Sequence, residues 1–289
     1  MHFLWSARDR KGLFRSGLLI SMPAIQPARL KIQAAQLAER FTDPNRFKSG
    51  LREILYFYAD RAYRPGKAGD PPPLLEAYNV PTPVLRQISK EIAGLISANR
   101  AAALALSDAL WSESVLEFRL LAAFTLGQIS VQPLEDILGR VNAWAKPSTE
   151  RRLIRALIED GLVSVRIALP EEYLNQVELW LAADQSFYRQ LGLQALTPLL
   201  SMAEFENLPL VMRLITPLVR AAPPGLRPDL LAVIEIMAGR SPKETAFFLR
   251  KNLSIKDDNP GTAWLDRHSL NYFPADTRTA LRTALREGV

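Results

Sequence analysis

Three tryptophans, Trp111, Trp144 and Trp180, each close an apolar run, and each is followed eight or nine residues later by an arginine: Arg119, Arg152 and Arg189. The intervals of 33 and 36 residues mark a repeat. Each unit reads as two short amphipathic helices joined by a tight turn, and such a pair buries its apolar face only against its neighbours. The expected architecture is a solenoid. The arginines fall in the first turns of the second helices, so stacking the units would align them along one wall, where they could meet phosphates.

The 289 residues suffice for one extended array or two compact domains, and a hydrophobic content of 48% is ordinary for a folded chain. The excess of 36 Lys and Arg over 30 Asp and Glu suits a polyanionic partner without demanding one. Cysteine is absent, which excludes disulfides, thiolate metal sites and a cysteine nucleophile. Residues 1–21 carry Arg8, Arg10, Lys11 and Arg15 but only a short apolar run, Leu18 to Ile20, so they read as a loose tail or translated upstream stretch rather than a signal peptide. One domain over 22–289 follows. No apolar run reaches the roughly 18 residues needed to span a bilayer, and the expected location is cytoplasmic.

From Ala28 onward apolar positions recur at spacings of three and four, which predicts an all-α chain. The pattern places helices at about 28–41, 45–63, 81–97, 101–112, 114–129, 133–144, 148–168, 171–183, 186–202, 207–220, 226–239, 242–253, 261–270 and 275–286, or about seven pairs. Ser241, Pro242 and Glu244 combine an N-cap, a first-turn proline and a capping-box glutamate; Thr82-Pro83 is read in the same way, and Ser114 with Glu117 as a further capping box. The run from Arg64 to Pro73 is a proline- and glycine-rich loop.

Little in the chain supports metal or nucleophilic chemistry. The only histidines are His2 and His268, and the latter reads as a surface or capping residue at a helix end. No Gly-x-Ser-x-Gly elbow, phosphate loop or dinucleotide fingerprint is present, so neither a metal nor a cofactor is expected. The candidate carboxylates are Glu117 and Glu150, each six residues after a tryptophan. Either could stabilise a cationic sugar, although Glu117 reads first as a helix cap and Glu150 is discounted in the same way. The tryptophans read as knobs between repeats or as stacking platforms. Arg119, Arg152 and Arg189, with the cluster Arg151, Arg152 and Arg155, read as phosphate contacts or as solvated helix surface.

The segment Tyr78 to Ile92, with Thr82-Pro83, Leu85-Arg86 and Lys90-Glu91, resembles a stretch of the AlkD-type DNA alkylation-repair glycosylases, which are built of HEAT-like repeats. Leu110-Trp111 with Glu117-Phe118-Arg119, then Trp180 to Asp184 with Phe187 and Arg189, then Phe247 to Arg250, and finally Asn259-Pro260 with Trp264, follow in that family's order. The resemblance covers about residues 77–286, with extra sequence near 203–240. It implies a right-handed α-α superhelix whose basic groove cups double-stranded DNA and acts on alkylated purines. With the arginines of the repeat and of the local cluster, the expected nucleic-acid contacts are Arg86, Arg119, Arg151, Arg152, Arg155, Arg189 and Arg250, and the resemblance implies a site aromatic at Phe247. The family places a tryptophan and an aspartate beside the sugar of the lesion, where a carboxylate attracts the developing cation. Here the corresponding stretch, Ser148 to Ile158, offers Arg151, Arg152 and Arg155 instead. Two readings stand: a DNA-binding repair-like solenoid in which Glu117 or Glu150 would have to supply any catalytic carboxylate, or a non-enzymatic scaffold whose concave face grips a protein.

Overall fold

A computed structural model of the protein describes residues 25–60, 74–253 and 260–287. The N-terminal tail with His2, the loop Arg64 to Pro73, and Asn259 lie outside the described residues. Within them the chain is all-helical, with α1 (Pro27–Ala38), α2 (Pro44–Tyr58), α3 (Thr82–Ala98), α4 (Arg100–Trp111), α5 (Leu116–Gly127), α6 (Glu135–Trp144), α7 (Arg151–Ala156), α8 (Val163–Ala168), α9 (Pro170–Ala182), α10 (Ser186–Leu200), α11 (Leu208–Ala221), α12 (Arg227–Arg240), α13 (Pro242–Leu253), α14 (Pro260–Ser269) and α15 (Ala275–Glu287). The only β feature described is an isolated parallel bridge between Glu76 and Val115. No described helix is long and apolar enough to cross a membrane.

The helices form two rows. One runs α1, α3, α5, the segment α7 to α8, α10 and α12, each packed on the next; the other contains α2, α4, α6, α9, α11 and α13. Pairs such as α4 with α5 and α9 with α10 join the rows around one continuous apolar core. In the second row the tryptophans act as the knobs between units. Trp111 and Trp144 stack with ring centroids 4.5 Å apart and planes 7° from parallel, and Trp180 Nε1 donates to Asn142 Oδ1 at 2.9 Å. Arg140 reinforces α6 against α4 by a two-pronged bond to Asp108, with Nε to Oδ1 at 2.8 Å and Nη2 to Oδ2 at 2.7 Å.

Helix starts follow their local chemistry. Proline occupies the first turn of α1, α2, α3, α9, α11 and α12, where its missing N–H costs nothing. Helix α13 begins at Pro242, and the Ser241 hydroxyl donates to the Glu244 carboxylate, joining the two members of the expected box.

Three local expectations are corrected. The helix expected over 148–168 is broken: α7 gives way to a π-turn over Leu157–Gly161 before α8. At this break the Ile158 and Glu159 carbonyls accept from the buried Arg166, at 3.0 and 3.2 Å. The turn sits directly on Gly127 of α5, where a Cβ would lie 1.7 Å from the Asp160 carbonyl oxygen. Second, Ser114 and Glu117 form no capping box, since α5 starts after Val115 without a side-chain cap. Glu117 instead turns inward, 4% exposed, and both its oxygens accept backbone N–H groups, from Tyr78 at 3.1 Å and Asn79 at 2.7 Å. Third, Thr82 is not the N-cap of α3 but its first residue, behind Pro81, with no side-chain cap bond.

Candidate nucleic-acid interface

The recurring arginines divide into two groups. Arg119 and Arg189 are each the fourth residue of their helix, and each reaches back to the turn before it: Arg119 Nε donates to the Glu113 carbonyl at 2.7 Å, and Arg189 Nε to the Ala183 carbonyl at 2.6 Å. Arg278, fourth in α15, reaches the Phe273 carbonyl in the same manner. Arg119 also lies 5.5 Å from the Trp111 ring centre, and burial lowers its pKa. The repeated position thus has a structural use, bonding a carbonyl that the turn would otherwise leave to solvent.

The second group has no such commitment. Arg86 and Lys90 on α3 and Arg151 and Arg152 on α7 are exposed and make no hydrogen bond or ion pair among the described residues. Arg155 is exposed and only 4.0 Å from Glu159 across one helical turn, a pairing of little energetic weight. Helices α3 and α7 both pack on α5 in the same row, which brings these cations to one part of the molecule. Arg250 stands apart on α13, its guanidinium 5.3 Å from the ring of Phe247, which is 58% exposed.

Between α3, α5 and the π-turn lies a cavity of about 190 Å³. Leu85, Leu120, Leu121 and Phe124 make it apolar, while Arg86, Ser89 and Lys90 from α3 and Asp160 from the π-turn supply its polar edge. Burial pushes the Asp160 carboxyl up to about 6; neighbouring Glu159 adds to the rise, and Arg166 opposes it. Glu159 is itself raised, again chiefly by burial. Lys90 and Asp160 are the site residues that the sequence reading missed. Their signals were Lys90 one turn beyond Arg86, and an acidic pair followed by Gly161 inside an otherwise helical pattern.

Both carboxylates singled out in the sequence are buried. Glu117 is occupied by two amide donors, whereas Glu150, immediately before α7, is 9% exposed with Oε2 lacking a partner among the described residues. His268 is exposed on α14, stacked on Trp264 at 3.8 Å with Nδ1 at 2.8 Å from the Trp264 carbonyl, a surface and helix-end role. Among the described residues no group of three or more His, Asp or Glu could hold a metal ion.

Neither a curated protein nor a solved structure matches this chain. A family model described as DNA alkylation repair enzyme matches residues 73–224, more than half of the sequence and the whole span from α3 to α11 that carries the cavity and the unpaired cations. The later resemblances at Phe247, Arg250 and Trp264 fall beyond that match. On that match the chain belongs to the DNA alkylation repair enzyme family.

Proposed function

We propose that the protein binds double-stranded DNA in alkylation repair, as a right-handed superhelix of HEAT-like repeats whose DNA-facing wall includes α3, α5 and α7. The single observation that carries this reading is the contrast among the arginines. Arg119 and Arg189 are held by the turns of the fold, yet Arg86, Lys90, Arg151 and Arg152 have no partner within the described protein and remain exposed on one row of helices. Unpaired, exposed cations on neighbouring helices of one row are what a phosphate backbone can use. A protein-binding scaffold gains no comparable support, because the large exposed apolar side chains among the described residues are spread over α1, α2, α3, α8, α9 and α13 and Leu74 before α3.

Base excision is not part of the proposal. Arg151, Arg152 and Arg155 stand in the stretch where the family resemblance would bring an aspartate to the sugar, and a guanidinium opposes the positive charge that develops as a glycosidic bond breaks. Glu117 already has both oxygens engaged by backbone N–H donors.

Fluorescence anisotropy with labelled duplex DNA tests the binding. Affinity should fall steeply with salt, and Arg86→Gln and Arg152→Gln should each weaken it for any sequence and reduce the salt slope by about one. Affinity indifferent to ionic strength would refute the proposal. Incubation with methylated DNA should leave the chromatogram free of released purines. A released base would overturn the exclusion of excision and direct attention to Glu150, with its unpartnered buried oxygen.

A further inference from the structure

The geometry points to the cavity between α3, α5 and the π-turn as a receptor for one guanine base bearing a 5′-phosphate, with Asp160 reading the base and Arg86 and Lys90 holding the phosphate. This inference rests on the cavity rather than on the family, and it extends the DNA-binding reading by assigning a pocket for an unpaired base.

Size sets the first limit. At about 190 Å³ the cavity is smaller than the roughly 300–1,000 Å³ typical of sites for drug-sized ligands, and suits a single planar ring system rather than a dinucleotide. Its interior matches a base face, since Leu85, Leu120, Leu121 and the ring of Phe124 offer apolar and aromatic contact. An acyl chain would meet the same apolar surface but provide no donor for the carboxylate at the edge, leaving a partly buried charge uncompensated.

Asp160 then selects among bases. Its carboxylate has no hydrogen-bond partner among the described residues. With its pKa near 6 it is ionised at neutral pH, when it accepts two hydrogen bonds and donates none. Guanine presents adjacent N1–H and N2–H donors along its pairing edge, so one carboxylate takes both. Adenine presents one donor beside the N1 lone pair, which repels it. Cytosine has the same defect, and uracil or thymine sets a single donor between two carbonyls.

Two cations in the lining complete the fit. Arg86 and Lys90 are four residues apart on α3, hence on one helix face about 5–6 Å apart at Cβ, and both lack partners. Arginine supplies a forked donor and lysine a compact charge, a combination suited to one phosphate. The π-turn makes this possible, because seating the backbone against Gly127 places Asp160 at the cavity rather than in a continuous helical turn.

Isothermal titration of the full chain with GMP, AMP and guanosine tests the assignment. GMP should bind at least about fivefold more tightly than AMP, the discrimination expected of one two-pronged base contact. Asp160→Asn, whose amide offers one donor and one acceptor, should lose that preference or reverse it towards AMP. Arg86→Gln with Lys90→Gln, both surface changes, should bring GMP down to the affinity of guanosine. Equal binding of GMP and AMP, or a preference untouched by Asp160→Asn, would overturn the assignment. Two further ligands separate the sources of the guanine: a duplex carrying one unpaired guanine, and the same duplex fully paired. Preference for the first identifies a nucleic-acid strand, while GMP binding without it identifies a free nucleotide. Salt-dependent duplex affinity with no GMP binding removes this inference and leaves the proposed function standing; the converse result removes only the latter.

Discussion

Replacing Gly127 by alanine tests whether the π-turn is held by the close approach of two backbones. A Cβ at this position would fall 1.7 Å from the Asp160 carbonyl oxygen, 2.7 Å from its carbonyl carbon and 3.1 Å from Val163 Cγ1. Ordinary van der Waals contact needs roughly 3.5 Å, so the two segments would have to part by nearly 2 Å. The obstruction is backbone on one side and helix on the other, and no side-chain rotation relieves it. Alanine in a helix ordinarily gains up to about 1 kcal/mol over glycine, but overpacking a tight core costs about 1–3 kcal/mol and more where the backbone itself must shift. The expected net loss is about 3 kcal/mol. For a chain of this size that corresponds to a melting temperature lower by about 6–12 °C. Gly94→Ala and Gly139→Ala are the controls, because nothing lies within 4 Å of a Cβ at either position. They should leave the melting temperature unchanged or raise it slightly. If Gly127→Ala melts with those controls, the π-turn is not fixed by this contact and its placement of Asp160 has another cause.

Asp160 makes stability depend on pH in a definite direction. Its folded-state pKa of about 6 lies above the ordinary 3.8, so the folded state binds the proton more tightly. The stabilisation is complete below pH 4 and is lost as pH rises through about 6. The difference corresponds to at most about 3 kcal/mol, and less after screening at the cavity mouth. Chemical denaturation of the native protein and of Asp160→Asn at pH 5 and pH 8 should show the native protein losing ground as pH rises; parallel behaviour would contradict the burial of this carboxyl. For Glu117, exchange to glutamine should cost about 2–3 kcal/mol, because an amide N–H₂ would confront one of the two backbone donors that the carboxylate accepts. Hydrogen exchange should then find the Tyr78 and Asn79 amides deprotected, and unchanged protection would refute the role.

The helices were legible because their starts carry local chemistry. The prolines of the first turns and the three- and four-residue spacing of apolar side chains fix most boundaries within a few residues. Two features escaped because their cause lies far along the chain. The segment 151–168 has helical composition throughout, and its π-turn depends on Gly127 of a different helix. Ser114 and Glu117 satisfy a capping pattern, but the bridge from Glu76 to Val115, in which the Leu116 N–H donates to the Glu76 carbonyl at 2.8 Å, starts α5 too late for Ser114 to cap it. Glu117 is thereby left facing the Tyr78 and Asn79 amides. The cavity was invisible for the same reason, since its charged lining comes from residues 86, 90 and 160, which only packing brings together.

The recurrence of arginine was visible, yet at two of its three positions the arginine bonds a carbonyl of the preceding turn. Arg119 and Arg189 do so because each stands fourth in its helix, at the distance from which a guanidinium reaches the preceding turn. Arg152 occupies the same place relative to its tryptophan, but α7 begins at Arg151, so Arg152 is the second residue of its helix and bonds no turn carbonyl. Its charge is left in solvent beside that of Arg151. The proposed interface therefore depends on where the sequence pattern departs from its own rule: the late start of α7 leaves two guanidinium groups free, and eight residues beyond Arg152 the π-turn puts Asp160 in the lining of the cavity beside α3. On the proposed reading, a phosphate-bearing ligand meets the chain at those departures, whereas Arg119 and Arg189, at the regular positions, bond the turns before their own helices.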